Sequence, residues 1–471
     1  MKVINLFDDT FSKTVWELGK KFGLTIVPVG GIVRDFLLSR QSNDYDFLIL
    51  YSDETGIERE VLPFIQNFSE SYRLNIVKPS RFETYRLVNK EMTVDFSPVK
   101  ESKLQENLLS RDLTINSIAF SFDKGDFIDP AEGISHLKKR VLKTFSQENF
   151  KQDPLRVLRL FRFYAQLGDF KIDSKTENYA FSNAYLLKKV ARERVKEELF
   201  KILKNDDGFK AVKKMLYPVL STIFPSFEAI KEIQQNGYHH LNVVEHTLKV
   251  VEWCFNYRKI TSLFPFFDFQ LSDKDKIVLR LSALFHDVGK AATLEYDSQG
   301  YTTFRNHQFV SGSIVLKELG FLPKDIVERV YYLVRRHMLF LNFMINGYSK
   351  KSFRKLINMM REDSVLLAML FIADKNAARG PKSAGNFEKA LEIVKSFLIF
   401  YKEEKEKILN LPRLVSGFDV IRILEIAPSK EVGKILNFIM EKQIENPDFS
   451  REDALKLIYS LKKERENKGE S

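Results

Sequence analysis

Hydrophobic and polar positions along the chain change their period several times, and the changes divide it. A β-branched run at 24–29 meets Gly30-Gly31, a helical segment starts at Ile32, and after a polar turn a second apolar run carries Asp44 and Asp46. A helix is predicted over 57–72, followed by strand-like pieces at 74–78, 84–88 and 92–96. Short β-branched runs bounded by Gly and polar residues predict strands, whereas helical spacing of apolar residues predicts helices. Residues 1–145 therefore predict an α/β head with a mixed sheet. From about residue 150 to 203 the period becomes helical, with Leu155, Leu158, Phe161 and Phe163 as a core-facing stripe. Arg156, Arg159 and Arg162 recur every third residue and predict a basic ridge beside it. The helical neck spans 146–205, a helical connector 206–235, a further all-α domain 236–380, and a helical tail 381–471. The stretch ARGPKSAGN, at 378–386, marks the last boundary by its Gly, Pro and Ser content.

With 471 residues the chain is long enough for several domains, and 44% apolar residues supply their cores. A net charge of +11 favours a polyanionic partner. The lone Cys254 excludes an internal disulfide and fits a reducing cytosol. The N-terminal residues carry acids without an apolar signal core, and no run reaches the ~20 apolar residues of a membrane span. A cytoplasmic protein is expected.

The chemistry concentrates first around Gly30. A Gly pair at a strand-to-helix turn points backbone N–H groups at an anion, and Arg34, one helical turn on, can reach the same anion. Asp44 and Asp46, two apart on a strand, project to one face. Paired carboxylates need a divalent cation between them, usually Mg²⁺. Asp95 adds a third carboxylate on a neighbouring strand, as a two-metal site requires. Arg111 is a candidate phosphate ligand, because guanidinium grips phosphate in bidentate fashion. Asp112 and Asn116 either bind ribose hydroxyls or cap a turn.

Asp153 and Arg156, spaced i, i+3, point the same way. Carboxylate only accepts hydrogen bonds and guanidinium only donates them. Cytosine and adenine present an amine beside a ring-nitrogen acceptor, whereas uracil and guanine present a carbonyl beside a ring N–H. An Asp–Arg pair therefore accepts C and A and rejects U and G, each unmatched buried group costing about 1–3 kcal/mol.

Six of the seven histidines lie between 239 and 337. His246, His286, His307 and His337, with Asp287 and Asp374, sit on otherwise apolar helices. Burying such groups unpaired is costly, and imidazole with carboxylate binds transition metals or Mg²⁺.

These motifs resemble a known family over nearly the whole chain. The stretch VGGIVRDFLLSRQSNDYDFLIL resembles the GGxVRD and DxD signature of the nucleotidyltransferase superfamily, in the branch holding the bacterial tRNA CCA-end enzymes and the poly(A) polymerases. LLSRDLTINSIAF resembles that branch's RRDFTINA motif, with Ser110 in place of its first Arg, and implies ligand roles for Arg111 and Asp112. IDPAEGISHL is similar to a DPxGGxxDL stretch, departing at Glu132 and His136, and is expected to be structural. QDPLR resembles the EDxxR motif of class II tRNA nucleotidyltransferases, which use protein side chains as template; Gln152 replaces the family's Glu. Arg194 and Glu198 match an RxxxE helix and are expected to stabilise it as a pair. The order H…HD…H…H…D resembles the HD phosphohydrolase superfamily, and RLVSGFDVIRILEIAPSKEVGKIL resembles the C-terminal arm of the tRNA enzymes.

The resemblance implies a multidomain fold: an α/β nucleotidyltransferase head followed by all-α neck, HD and tail domains. It implies CTP and ATP as substrates, and tRNA as partner through its 3′ acceptor end and its body. Asp44 and Asp46 would hold Mg²⁺ with Asp95 as the third carboxylate. Gly30, Gly31, Arg34 and Arg111 would hold the triphosphate, and Asp153 and Arg156 would read the base with Arg159 nearby. Fifteen residues separate Asp95 from Arg111, where enzymes of this class that build the full CCA end carry a longer loop. CC addition is therefore expected, with a separate enzyme adding the A. Full CCA addition, A addition, poly(A) synthesis and an HD phosphohydrolase activity stand as alternatives.

Overall fold

The structure, a computed structural model, describes residues 9–42, 44–52, 57–77, 84–235, 241–378, 383, 385–446 and 448–468. His239, His240, Lys78 and most of the 378–386 boundary stretch lie outside them. The chain forms two compact units, Met1–Ile223 and Phe224–Ser471, and the division falls inside the 206–235 connector.

The first unit begins with a five-stranded mixed sheet, β1 (Thr25–Pro28), β2 (Asp44–Tyr51), β3 (Asn75–Val77), β4 (Tyr85–Val88) and β5 (Thr93–Lys100), in the order β1-β2-β5-β4-β3. Only β2 and β5 run parallel. The alternation of the sequence decides the two faces. Phe47, Ile49, Val94 and Phe96 point to one side, where they meet Val15 of α1 (Thr10–Lys21) and Phe64 and Phe68 of α3 (Ile57–Tyr72). On the other side Leu48 packs with Leu104, Leu108 and Ala119. Asp44, Asp46 and Asp95 share that second face by register, Asp46 lying directly opposite Asp95. β5 extends four residues past the expected Phe96, because Pro98 and Val99 still pair with Ile49 and Leu50. α2 (Gly31–Leu37) follows the Gly pair as expected.

The neck is helical, with helices Glu148–Gln152, Arg156–Gln166, Ser174–Asn183 and Arg192–Lys204. Leu155, Leu158, Phe161 and Phe163 are buried as expected. The basic ridge needs correction. Arg162 is only 9% exposed, because Glu198 of the neighbouring helix draws it inward at 3.2 Å. The stretch at 128–138 is structural as expected. Asp129 accepts from Gly133 N and Ile134 N, starting the helix Gly133–Lys138. Glu132 takes φ +55° there, a left-handed conformation that suits Gly and costs an ordinary side chain about 1–2 kcal/mol.

Among its described residues the second unit is helical apart from one hairpin, Leu294–Tyr296 with Thr302–Phe304, which the expectation of an all-α domain missed. Its turn is closed by Asp297, which accepts from Gln299 N and Tyr301 N at 2.9 Å. Capping boxes start the helices Val243–Phe255 and Asp273–Phe285. The tail helices Gly417–Leu424, Lys430–Glu445 and Arg451–Lys468 share their own core around Val420, Ile439 and Ile458. Among the described residues no helix is long and apolar enough to cross a membrane.

Candidate functional site

One cavity of about 810 Å³ in the first unit is lined by Gly31, Arg34, Asp44, Asp46, Asp95, Arg111, Asp112, Asn116, Asp153, Arg156 and Arg159. Every head and neck candidate read from the sequence is there except Gly30, which supports the wall from behind. Gly30 has φ +76°, and a Cβ on it would stand 2.5 Å from an Arg111 guanidinium nitrogen. Its N–H is committed to Ile118 O at 3.0 Å and does not face an anion, contrary to the expectation for the Gly pair.

The carboxylates are handled unequally. Partial burial raises the Asp46 carboxyl; Arg111 opposes this, and Asp95 and Asp44 add to it. Asp95 is gripped in bidentate fashion by Arg86 of β4, Nε to Oδ1 at 2.8 Å and Nη2 to Oδ2 at 2.5 Å. Asp44 is exposed at the strand start. Three carboxylates on one face of two adjacent strands repel one another, which is the electrostatic condition a divalent cation relieves.

Behind them lies a chain of ion pairs and hydrogen bonds. Arg34 donates to both Asp35 oxygens at 2.8 Å and to Asn116 Oδ1 at 2.7 Å, so its guanidinium is tied to protein partners while still lining the cavity. Asn116 Nδ2 donates to Asp112 Oδ1 at 2.8 Å, and Asp112 Oδ1 also accepts from Leu113 N. Arg159 donates to Asp112 Oδ2 at 2.7 Å. Burial alone would raise the Asp112 carboxyl, but Arg159 and the bonds to it hold it well below the usual carboxylate range. Asp112 and Asn116 thus brace each other, Arg159 and Arg34 at the cavity wall, and neither caps the turn at Thr114–Asn116. Arg111 differs: its Nε is buried with no partner among the described residues, and burial pushes its guanidinium down against the pull of Asp46.

Asp153 ends the helix Glu148–Gln152 and Arg156 begins the next. Arg156 donates to the backbone carbonyl of Asn149 at 3.2 Å. The expected Arg194–Glu198 pair is absent. Arg194 bonds Asp153 Oδ2 at 3.0 Å, and Glu198 holds Arg162 and Lys201. Sequence reading missed Arg86, Arg162, Lys201 and Phe163, all of which line the cavity. Phe163 carries the guanidinium carbons of Arg162 at 4.2 Å and Arg34 at 5.0 Å from its ring centre. A lone Arg in a short strand has no sequence signal; only the β4–β5 register puts Arg86 opposite Asp95.

In the second unit all six candidate ligands converge. His246 lies on Val243–Phe255, His286 and Asp287 follow Asp273–Phe285, His307 opens His307–Glu318, His337 follows Lys324–Arg336, and Asp374 lies on Asp363–Ala377. All six are buried. Nδ1 of His286, His307 and His337 lies 2.7–2.8 Å from the backbone carbonyls of Ala283, Phe304 and Val334, which fixes each Nδ1 as the N–H donor. The Nε2 lone pairs therefore point inward. His286 and His246 Nε2 are 3.4 Å apart, and those of His307 and His337 3.2 Å. Asp287 lies between the two pairs, 3.2 Å from His286 Nε2 by one oxygen and 3.2 Å from His307 Nε2 by the other. Asp374 reaches His246 at 3.0 Å. Burial, with His307 and His286 adjacent, pushes His337 down to about 3, so its imidazole is neutral at pH 7. Two groups, His246–His286–Asp287 and Asp287–His307–His337, have the spacing to hold a cation each, with Asp287 common to both. Lys290 supplies a resident positive charge 2.7 Å from Asp287.

Three family models match the chain: a poly A polymerase head domain over 26–143, a probable RNA and SrmB-binding site of polymerase A over 169–231, and an HD domain over 243–379. The CC-adding tRNA nucleotidyltransferase of Thermus thermophilus is 33% identical, with 91% of each chain covered. The A-adding tRNA nucleotidyltransferase of Deinococcus radiodurans is 29% identical over 88% of this chain and 90% of its own. A solved CCA-adding enzyme of Thermotoga maritima, complexed with tRNA, shares the fold at a TM-score of 0.59 and 19% identity, over 96% of this chain and 95% of that one.

Proposed function

Because this chain belongs to the family of bacterial-type tRNA nucleotidyltransferases, we propose that its head and neck add cytidylate to tRNA 3′ ends without a nucleic-acid template. The terminal 3′-hydroxyl oxygen bonds to the α-phosphorus of CTP, the bond from that phosphorus to the pyrophosphate oxygen breaks, and the hydroxyl proton is released. Bound at Asp44 and Asp46, with Asp95 as third carboxylate, Mg²⁺ supplies Lewis acidity at the α-phosphate. Arg111, with its unpartnered Nε, takes the triphosphate alongside Gly31 and Arg34. Asp112 and Asn116 hold Arg159 and the ribose end of the cavity. Asp153 accepts from the cytosine amine and Arg156 donates to its ring nitrogen. One observation carries this: the Asp46–Asp95 pair and the Asp153–Arg156 edge line a single cavity.

Within this proposal the head is 1–145, the neck 146–205, the connector 206–235, the HD domain 236–380 and the tail 381–471. Neck and tail grip the tRNA through phosphates, so affinity falls steeply with salt. The protein acts in the cytoplasm. The CC-adding subtype is supported by the connection from Asp95 to Arg111. β5, a turn at Glu101–Lys103 and the helix Leu104–Leu109 fill it, and Leu108 is fully buried. No segment there is long enough to act as a switching loop, so a separate enzyme adds the final A.

Purified protein, tRNA lacking its CCA end, and CTP with ATP make the test. The product is expected to end in CC, and a terminal A overturns the CC-only version in favour of full CCA addition. Long A tails on generic RNA with ATP alone point instead to a poly(A) polymerase. A second reading applies to the HD domain. Its inward Nε2 lone pairs favour a metal-dependent phosphohydrolase, using a divalent transition metal or Mg²⁺, independent of the head.

A further inference from the structure

We infer that Arg194 is a positioning residue for base selection, acting through Asp153. This rests on Asp153 and Arg156 reading the base, and adds what holds that edge still. Asp153 Oδ1 accepts from Leu155 N at 3.3 Å and Oδ2 accepts from Arg194 Nη2 at 3.0 Å. A carboxylate has about four lone-pair sites. With one on each oxygen held, the group cannot spin about its last bond, and the remaining lone pairs keep one direction. That direction decides whether a base presents an amine or a carbonyl to Asp153.

The setting of Arg194 argues against a purely structural role. It is the third residue of the helix Arg192–Lys204, and a cation in the first turn opposes the helix dipole. It is not paired with Glu198, which bonds Arg162 and Lys201 instead. Its side chain is 53% exposed and Asp153 is 29% exposed, so their bridge contributes little to folding stability. Once a base covers Asp153 and excludes water, the same bond gains strength. Arg194 does not line the cavity, and so reaches the nucleotide only by way of Asp153. Arg156 has its own fixed support in Asn149 O. The two halves of the reading edge are therefore anchored separately, one by a backbone carbonyl and one by a side chain that can be substituted.

The experiment measures kcat/KM for CTP and for UTP on tRNA lacking its CCA end, with wild type, Arg194→Ala, Arg194→Lys and Asp153→Ala, alongside each protein's melting temperature. Arg194→Ala is expected to melt with wild type and to lower the CTP-over-UTP preference about tenfold, the scale of one charge-assisted hydrogen bond. Arg194→Lys, which keeps the cation, is expected to keep most of the preference. An unchanged CTP:UTP ratio in Arg194→Ala overturns the inference, even if its turnover or melting temperature falls. If Asp153→Ala also keeps the wild-type ratio, the base-reading assignment fails as well. If only Asp153→Ala loses the ratio, that assignment stands and the role of Arg194 alone is rejected.

Discussion

The two acidic centres of this protein have the same electrostatic problem and opposite solutions. In the head, Asp44, Asp46 and Asp95 stand on one sheet face at a cavity wall, Asp44 exposed and Asp95 neutralised by the half-exposed Arg86. In the HD domain six candidate ligands from five helical segments are closed off, and four imidazoles outnumber two carboxylates. An open site can leave carboxylates partly to water and partly to guanidinium partners at its edge. A closed site cannot hold free anions, so imidazoles oriented by backbone carbonyls, together with Lys290, surround its carboxylates.

The sharpest way to break this comparison is to disable each centre and read both. Asp44→Ala with Asp46→Ala is expected to lower CTP transfer about a thousandfold, the several kcal/mol that metal-held charge stabilisation contributes. His286→Ala is expected to leave transfer intact while lowering bound divalent metal measured by elemental analysis. Loss of transfer in His286→Ala would show that the two centres are coupled.

Glycine substitutions separate open from closed packing on a smaller scale. A Cβ on Gly289 would meet His307 O at 2.4 Å and Ser311 N at 2.6 Å, both backbone atoms that cannot yield. Gly289→Ala is expected to cost about 3 kcal/mol in denaturant unfolding. Gly30→Ala meets the side-chain tip of Arg111 rather than backbone but is strained by its φ of +76°, and is expected to cost about 1–2 kcal/mol while raising KM for CTP. Equal losses of stability would mean that the cavity wall is as rigid as the HD interior.

The smallest effect is acid-dependent. The native Asp112 carboxyl lies well below the usual range, so its stabilisation is full above the unfolded value near ~3.9 and is lost as pH falls toward the native value. The difference in urea midpoint between wild type and Asp112→Asn is expected to be constant near neutrality and to shrink below about pH 4. A gap that stays constant into acid would place the contribution of Asp112 in packing instead of charge.

The head was legible because its signals are local. Asp44 and Asp46 sit two apart on a strand, and all twelve head and neck candidates but Gly30 line the cavity. The HD set was legible by residue type: four histidines and two aspartates on apolar helices had to find one another. The hairpin at 294–304 was missed because its strands are three residues each, too short to display a period.

The sequence alone determined which residues carry charge and which stripe each element buries, since period and residue type are properties of neighbouring positions. Tertiary structure decided who neutralises whom. Arg86 meets Asp95 across 9 residues of sequence, Arg162 meets Glu198 across 36, and Arg194 meets Asp153 across 41. Coulombic pairing depends on distance through space, and only the sheet register and the helix packing set those distances.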